Sequence, residues 1–110
     1  MAFFAASQGS ETVNETPRVN GRDVFLSVII PAYNEERRIQ KTLDIISDYL
    51  RRQPYSYEIL VVTDGSTDNT VGAVNDKKKS IANLELLAMR KNRGKGYAVK
   101  MGMLRASGRI

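Results

Sequence analysis

The sequence contains no cysteine and no histidine. Without cysteine, a disulfide scaffold and a thiolate metal site are excluded. Without histidine, imidazole catalysis and His-ligated zinc are excluded, so any acid–base or metal chemistry must use carboxylates. No apolar run approaches the roughly 18 residues that a membrane-spanning helix needs, and the first ten residues lack the basic segment of a signal peptide.

Acidic residues are also missing from the end of the chain. The net charge is +5, from 17 Lys+Arg against 12 Asp+Glu, and no acid follows Glu85. The basic residues of that stretch are Arg90, Lys91, Arg93, Lys95, Lys100, Arg105 and Arg109. This excess indicates either an anion site, for phosphate or nucleic acid, or a solvated basic face whose acidic partners lie elsewhere. No aromatic platform accompanies the charge, so no nucleic-acid partner is expected.

What is present suffices for one small domain of 110 residues, of which 42% are hydrophobic. Residues 1–22 are rich in Ser, Thr, Asn, Gln and Glu and have no sustained periodicity. We therefore expect a flexible leader over 1–22, followed by a domain over 23–110.

Three short apolar runs, at residues 25–30, 57–62 and 84–89, predict strands that are buried in a parallel sheet. The segments between them predict a helix that ends at Arg52 before Pro54, a weaker helix over 69–79 with Val71 and Val74 facing inward, and a helix from Lys95 to Ala106 that Gly108 ends. Arg109 and Ile110 resemble the start of a fourth strand. This alternation predicts an α/β fold with flanking helices.

The first helix has the clearest pattern. Asn34 is expected to cap it, with Glu35 and Glu36 in its first turn, where the positive end of the helix favours acids. One face is formed by apolar residues spaced four, three and four apart, namely Ile39, Leu43, Ile46 and Leu50.

Polar loops follow all three predicted strands: PAYNEE, TDGSTDNT and RKNRGKG. Ligands of open α/β sheets bind at the carboxyl ends of the strands, so these loops are expected to form one cleft. Asp64, predicted to lie just beyond the second strand, either accepts hydrogen bonds from a nucleobase or forms an Asx-type turn with its own backbone, with Ser66, Thr67 or Asp68 capping the next helix. Gly65 is expected to let the backbone turn sharply near a ligand.

The other loops leave similar alternatives open. Glu35 either holds a ribose hydroxyl or only favours the helix dipole, and Tyr33 is either a base-stacking ring or an ordinary edge aromatic. NRGKG, at residues 92–96, is either an anion site formed by backbone N–H groups and a lysine, or a basic turn. It matches neither the Walker loop nor the dinucleotide fingerprint.

Taken together, SVIIPAYNEE, VVTDGSTDNT and NRGKGYAVKMGMLRASGR resemble the amino-terminal half of glycosyltransferase family 2, which has the GT-A fold. The pattern is most similar to the dolichyl- or polyprenyl-phosphate glycosyltransferases, especially the β-glucosyltransferases. The resemblance covers residues 26–110. It implies a Rossmann-like, mostly parallel sheet that this chain contains up to the third helix.

The resemblance also implies a nucleotide site, formed by Pro31, Ala32, Tyr33, Glu35, Asp64, Gly65 and Lys95. In the family, the acid at the position of Asp64 binds the base, and Lys95 would lie near the diphosphate. The family usually has a second acid where this chain has Thr63. Its Asp-x-Asp motif, which holds Mg²⁺ or Mn²⁺ on the diphosphate, should follow the fourth strand and is absent from this chain.

The resemblance therefore predicts transfer of a sugar from a nucleotide sugar, such as UDP-glucose or a GDP-sugar, to an acceptor such as a polyprenyl or dolichyl phosphate. The chain itself would supply donor binding only, and no catalytic residue is assigned in it. The full-length protein would be cytoplasmic, at or anchored to the cytoplasmic face of a membrane. The alternative is a non-catalytic nucleotide-binding remnant or regulatory module.

Overall fold

A computed structural model of the chain describes residues 4–6, 18–19, 22–23 and 25–106. In these ranges the elements are, in order, β1 (Phe4–Ala6), β2 (Arg18–Val19), β3 (Arg22–Asp23), β4 (Leu26–Ala32), α1 (Ile39–Arg51), β5 (Tyr57–Asp64), α2 (Thr70–Lys78), β6 (Leu84–Met89) and α3 (Lys95–Arg105). In the described ranges, no helix has both the length and the apolar character that a bilayer crossing requires.

The main sheet has the strand order β1-β4-β5-β6. The three central pairings are those expected: β4 pairs with β5, and β5 with β6, both in parallel. β1 adds an antiparallel edge next to β4, and β2 and β3 form a separate antiparallel pair. The predicted mostly parallel sheet with flanking helices is thus confirmed.

Two strands continue further towards the site than their apolar runs predicted. β6 has the predicted bounds, but β4 ends at Ala32 and β5 at Asp64, each two residues later than expected. Pro31 is tolerated inside β4 because β1 is paired only with residues 27–29, so the missing N–H interrupts no ladder on that side of β4.

The flexible leader expected over residues 1–22 includes two strands, β1 and β2. Phe4 lies opposite Ile29 in the main sheet, and Arg18 lies opposite Asp23 in the small one. The partner of β1 lies far along the chain, so it leaves no local periodicity to read, whereas β2 and β3 are too short to show any. The rest of the predicted leader, the helix stop at Gly108 and the expected fourth strand at 109–110 lie outside the described residues.

The predicted start of the first helix is also wrong. α1 begins at Ile39, and its N-cap position is Arg38 rather than Asn34. The acids Glu35 and Glu36 therefore lie before the helix, in a turn whose Glu35 carbonyl accepts hydrogen bonds from the N–H groups of Arg38 and Ile39. The C-terminal end agrees with the prediction, since the helix ends at Arg51 ahead of Pro54.

The alternating side chains of the strands form a core on each face of the sheet. On one face, α1 and α2 cover Val28, Ile30, Ile59 and Val61. Three of the four predicted α1 positions are buried there, and Ile46 packs against them in part. On the other face, α3 covers Ile29, Leu60 and Val62 through Ala98. Helices on both faces explain why the strands read as continuous apolar runs.

α3 lies close to the sheet because residue 102 is a glycine. A Cβ at Gly102 would lie 2.5 Å from Cγ2 of Ile29 and 3.1 Å from Cγ2 of Val62. Both atoms belong to fully buried side chains, so neither has free space into which to move.

We expect Gly102→Ala to destabilise the chain. Overpacking of a core costs about 1–3 kcal/mol, and the better helix propensity of alanine returns at most about 1 kcal/mol of it. Gly96→Ala is the matched control in the same helix, since nothing lies within 4 Å of its added Cβ. Urea unfolding of both variants checks this, and equal or higher stability of the Gly102 variant would contradict the close packing.

Candidate functional site

Three loops follow β4, β5 and β6 at the same edge of the sheet. We call them loop A (33–38), loop B (65–69) and loop C (90–94). Loop A and loop C, with the ends of β4 and β5 and the start of α3, line a cleft of about 530 Å³, and loop B lies outside its lining. Its lining residues are Pro31, Ala32, Tyr33, Glu35, Asp64, Asn92, Gly94 and Lys95.

The structure brings six of the seven predicted site residues together in this cleft, and leaves out Gly65. Their roles towards a nucleotide remain predictions. Asn92 and Gly94 also line the cleft and were not predicted as site residues, although the motif NRGKG that contains them was singled out. The sequence signal for these two residues was their place in a polar loop after a predicted strand, because no residue type in the loop indicated a cleft position by itself.

Asp64 is the last residue of β5 rather than a loop residue, and it is only 4% exposed. Its carboxylate accepts hydrogen bonds from the backbone N–H groups of Arg93, at 2.9 Å, and Gly94, at 3.0 Å, so the Asx-type turn with its own backbone is not what forms. Each carboxylate oxygen has two acceptor positions, so Asp64 can hold loop C and still accept a hydrogen bond from a ligand in the cleft.

The hydrogen bonds of Asp64 change the expected anion site at the start of α3. Two backbone N–H groups there, of Arg93 and Gly94, already donate to a carboxylate, and that of Gly94 also approaches Oδ1 of Asn92 at 3.0 Å. These two groups are therefore occupied by the protein's own acceptors, and the prediction of a backbone anion site is wrong for them. Lys95, an exposed residue of the cleft lining, is the cation that the loop places there.

Gly65 does allow the sharp turn that was predicted, with φ at +68°. Its close neighbour is loop C rather than the cleft. A Cβ on Gly65 would lie 2.5 Å from the backbone N of Asn92, and the Gly65 N–H donates to the carbonyl of Met89 at 3.1 Å. The glycine thus lets loops B and C touch through their backbones.

Glu35 holds an unpaired acceptor at the cleft. Its Oε1 forms an ion pair with Nη2 of Arg38 at 3.0 Å, whereas the buried Oε2 has no hydrogen-bond partner among the described residues. A buried carboxylate oxygen without a donor is costly. The alternative role in the first turn of α1 is wrong, because the helix begins at Ile39.

Two further positions complete the cleft wall. Tyr33 lines the cleft and is 45% exposed, so its ring is accessible from the cleft side. Thr63, where the family usually has an acid, is 1% exposed and is not among the lining residues. Its Oγ1 has no hydrogen-bond partner in the described part of the chain. The departure from the family pattern therefore lies behind the cleft.

Loop A and loop B are joined by a set of hydrogen bonds around Asn34. Its Oδ1 accepts from the backbone N–H groups of Thr67, at 2.8 Å, and Asp68, at 3.3 Å. Its own N–H donates to Oγ of Ser66 at 3.1 Å. Asn34 has φ at +52°, a conformation that asparagine tolerates better than most residues. Its side chain thus serves loop B, not the start of α1.

Three more hydrogen bonds extend this junction towards α2. The N–H of Glu35 donates to Oγ1 of Thr70 at 2.9 Å, and that of Glu36 to Oδ2 of Asp68 at 3.2 Å. In the opposite direction, the Asn69 N–H donates to Oε1 of Glu36 at 3.0 Å. The N-cap position of α2 is Asn69 rather than Asp68, and Asp68 lies one residue before it, where its Oδ1 accepts from the Thr70 N–H at 3.0 Å. Side chains of each loop thus satisfy backbone groups of the other.

The pKa of Asp68 is lowered below its ordinary value of 3.8. The largest cause is the hydrogen bond from the Thr70 hydroxyl; desolvation opposes the shift, and the backbone N–H groups of Glu36 and Thr70 add to it. Because the folded-state pKa lies below the unfolded one, the stabilisation from this carboxylate is fully present above pH 3.8 and is lost as the pH falls through the lower folded-state value.

We expect Asp68→Asn to reduce stability at neutral pH, because an amide replaces one acceptor oxygen by a donor. The difference from wild type should narrow below pH 3.8, as the wild-type carboxylate takes up its proton. Urea unfolding across this range measures it. Asp76→Asn, in an exposed pair with Lys79, controls for the loss of one surface charge. A difference that stays constant down to the lowest pH would contradict the assignment.

Metal-binding side chains are sparse in the described ranges. They contain no group of three or more His, Cys, Asp or Glu residues that could hold a metal ion. The cleft therefore does not itself fit the divalent cation that the resemblance implies.

Comparison with known proteins assigns the family. The family model described as "Glycosyl transferase family 2" matches residues 27–110. A dolichyl-phosphate beta-glucosyltransferase of Drosophila melanogaster is 45% identical over 91 residues, which cover 76% of this chain and 28% of that protein. The protein of the same name from Dictyostelium discoideum is 40% identical over 94 residues, covering 79% and 29%. The chain thus spans less than a third of the length of these relatives.

A solved structure agrees with the fold. The mannosyltransferase PcManGT from Pyrobaculum calidifontis, in complex with GDP-Man and Mn²⁺, is similar with a TM-score of 0.62 and 32% sequence identity. The match covers 84% of this chain and 25% of that one. With its parallel strands, its strand-end cleft and a family match over 27–110, the chain belongs to glycosyltransferase family 2 and has the GT-A fold.

Proposed function

We propose that this chain forms the donor-nucleotide site of a glycosyltransferase that moves a sugar from a nucleotide sugar to a polyprenyl or dolichyl phosphate. The observation that carries the proposal is the convergence of Glu35, Asp64 and Lys95 in one cleft at the carboxyl ends of parallel strands. It is supported by relatives named dolichyl-phosphate beta-glucosyltransferase and by a similar structure that holds GDP-Man.

Each part of the nucleotide finds a suitable group in the cleft. Asp64 accepts a hydrogen bond from the N–H edge of the base through its remaining acceptor positions. The side chain of Glu35, which lines the cleft, accepts from a ribose hydroxyl. Tyr33 packs on the base or ribose. Lys95 lies towards the diphosphate, where its positive charge opposes the charge of the leaving group.

Pro31 and Ala32 form the floor of the proposed site. Both belong to β4, and both are buried. Gly65 contributes indirectly, because it lets loop B contact loop C and so fixes Asp64 beside the start of α3. These three positions determine the shape of the site, and the polar groups of the cleft bind the ligand specifically.

The proposed acceptor suits a chain without histidine. A lipid phosphate is already an anion, so its oxygen can attack the anomeric carbon of the sugar without a strong general base. The new bond joins that carbon to the phosphate oxygen as its bond to the nucleoside diphosphate breaks. Because the acceptor is a lipid, we place the full-length protein at the cytoplasmic face of a membrane.

A divalent cation, Mg²⁺ or Mn²⁺, would neutralise the departing diphosphate. The described residues offer no ligand set for it. The resemblance assigns that role to an Asp-x-Asp motif, and the sequence contains none. The second candidate is a non-catalytic nucleotide-binding module, which needs no such ligand set.

We expect the chain to bind UDP or GDP, with a dissociation constant of about 1 µM to 1 mM, a range taken from the usual KM values of enzymes. Asp64→Ala should weaken binding about tenfold to a hundredfold, the range for a hydrogen bond to a charged group. Lys95→Met should weaken it less, because its charge is exposed. Isothermal titration calorimetry measures both variants.

Asp76→Ala and Lys79→Met are the matched controls for this titration. Both residues lie at the end of α2, with exposed side chains, and outside the cleft. The proposed site would be refuted if the Asp64 variant bound the nucleotides as tightly as the wild type does. It would also be refuted if the wild type bound neither UDP nor GDP.

We expect no sugar transfer by the 110-residue chain alone. With UDP-glucose or GDP-mannose, dolichyl phosphate and Mn²⁺, radiolabelled lipid should stay at background. Transfer by the purified chain would contradict the assignment of the metal ligands to another segment. Sequencing of the gene beyond the codon of Ile110 distinguishes the two candidates. An open reading frame that encodes an Asp-x-Asp motif would favour the enzyme, and a stop codon would favour the binding module.

A further inference from the structure

We propose that Asn34 is a positioning residue of the donor site. It holds loop A against loop B, so that the carboxylate of Glu35 faces the cleft. This inference rests on the function proposed above and adds to it a residue that does not line the cleft itself. Asn34 therefore acts on a nucleotide only through its neighbours.

The geometry at Asn34 is that of a junction between two loops. One side-chain oxygen accepts from two successive backbone N–H groups, of Thr67 and Asp68, at 2.8 Å and 3.3 Å. The hydroxyl of Thr67 also donates to it, at 3.3 Å. The Asn34 N–H donates to Ser66. Both the backbone and the side chain of Asn34 therefore form hydrogen bonds that join loop A to loop B.

Asparagine meets both requirements of this position. The backbone there has φ at +52°, which is strained for most side chains. The side chain must also present an acceptor to loop B. Glycine would keep the backbone conformation and lose the acceptor, and aspartate would keep both. Asn34→Gly and Asn34→Asp therefore separate the side-chain oxygen from the backbone conformation.

The effect of Asn34 reaches the cleft through the next residue. Glu35 follows it directly, and its N–H donates to Oγ1 of Thr70, another group after loop B. The side chain of Glu35 is 13% exposed, and its Oε2 lies buried without a partner. The carboxylate of Glu35, which lines the cleft, can accept from a ribose hydroxyl only if it is held in place, since a hydrogen bond weakens steeply with misalignment.

The experiment is calorimetric titration of wild type, Asn34→Gly and Asn34→Asp with UDP and GDP. We expect Asn34→Gly to bind about tenfold more weakly, as if loop A were correctly placed about a tenth of the time. Asn34→Asp should recover most of the affinity. Hydrogen exchange of the Thr67 and Asp68 amides should accelerate in the glycine variant and return towards wild type in the aspartate variant.

Two controls separate positioning from general stability. Val74→Ala removes fully buried core volume from α2 and should lower the unfolding midpoint while leaving nucleotide affinity unchanged. In a double-mutant cycle, Glu35→Gln should weaken binding in wild type and have little further effect in Asn34→Gly. That non-additivity is the signature of a residue that acts through Glu35.

The outcomes distinguish this inference from the function on which it rests. If the wild type binds a nucleotide and Asn34→Gly binds it equally well, positioning by Asn34 is refuted and the donor site stands. Additive effects of the Asn34 and Glu35 changes, or no effect of Glu35→Gln, also refute it. If wild type binds neither nucleotide, the proposed function fails and this inference fails with it.

Discussion

The parallel pairing of β4, β5 and β6 places three strand ends at one edge of the sheet, and the cleft exists only because of it. Pairing of Ala32 with Thr63, and of Asp64 with Met89, brings the last residues of successive strands level. A shift of β5 by one residue would turn Asp64 to the opposite face of the sheet, away from α3. The apolar cores on both faces fix this register, since each requires its own alternate set of side chains.

Above that edge, polar side chains of the strands and loops bind backbone groups of their neighbours. Asn34 binds the N–H groups of loop B, and Asp64 binds those of loop C. Gly65 adds a backbone contact that a side chain would prevent. Loops usually carry function at the expense of local stability. Here Asp64 and Gly65 of the predicted nucleotide site, together with Asn34, join the three loops to one another.

The sequence pattern was enough to predict the elements whose structure depends on residues close together in the chain. β6 was predicted with its observed bounds, because an apolar run ends at a basic loop, and the buried face of α1 followed from its spacing. The start of α1 was missed because Asn34 and the following acids imitate a capped helix, whereas their partners lie about 33 residues away in loop B. β1 was missed for the same reason, since only its pairing with β4 makes it a strand. The cleft could be predicted from topology, but the two amides that Asp64 occupies could not.

The carboxylate of Asp64 also determines how the cleft can attract phosphate. Fixed backbone dipoles at a helix start keep much of their pull at high ionic strength when they are shielded from water. Two of these groups are already neutralised by Asp64. The exposed side chain of Lys95 is a further source of positive charge, and in physiological salt its reach is only about 8 Å. If the cleft holds the diphosphate proposed above, the share of its affinity that comes from Lys95 would fall as the electrolyte concentration rises.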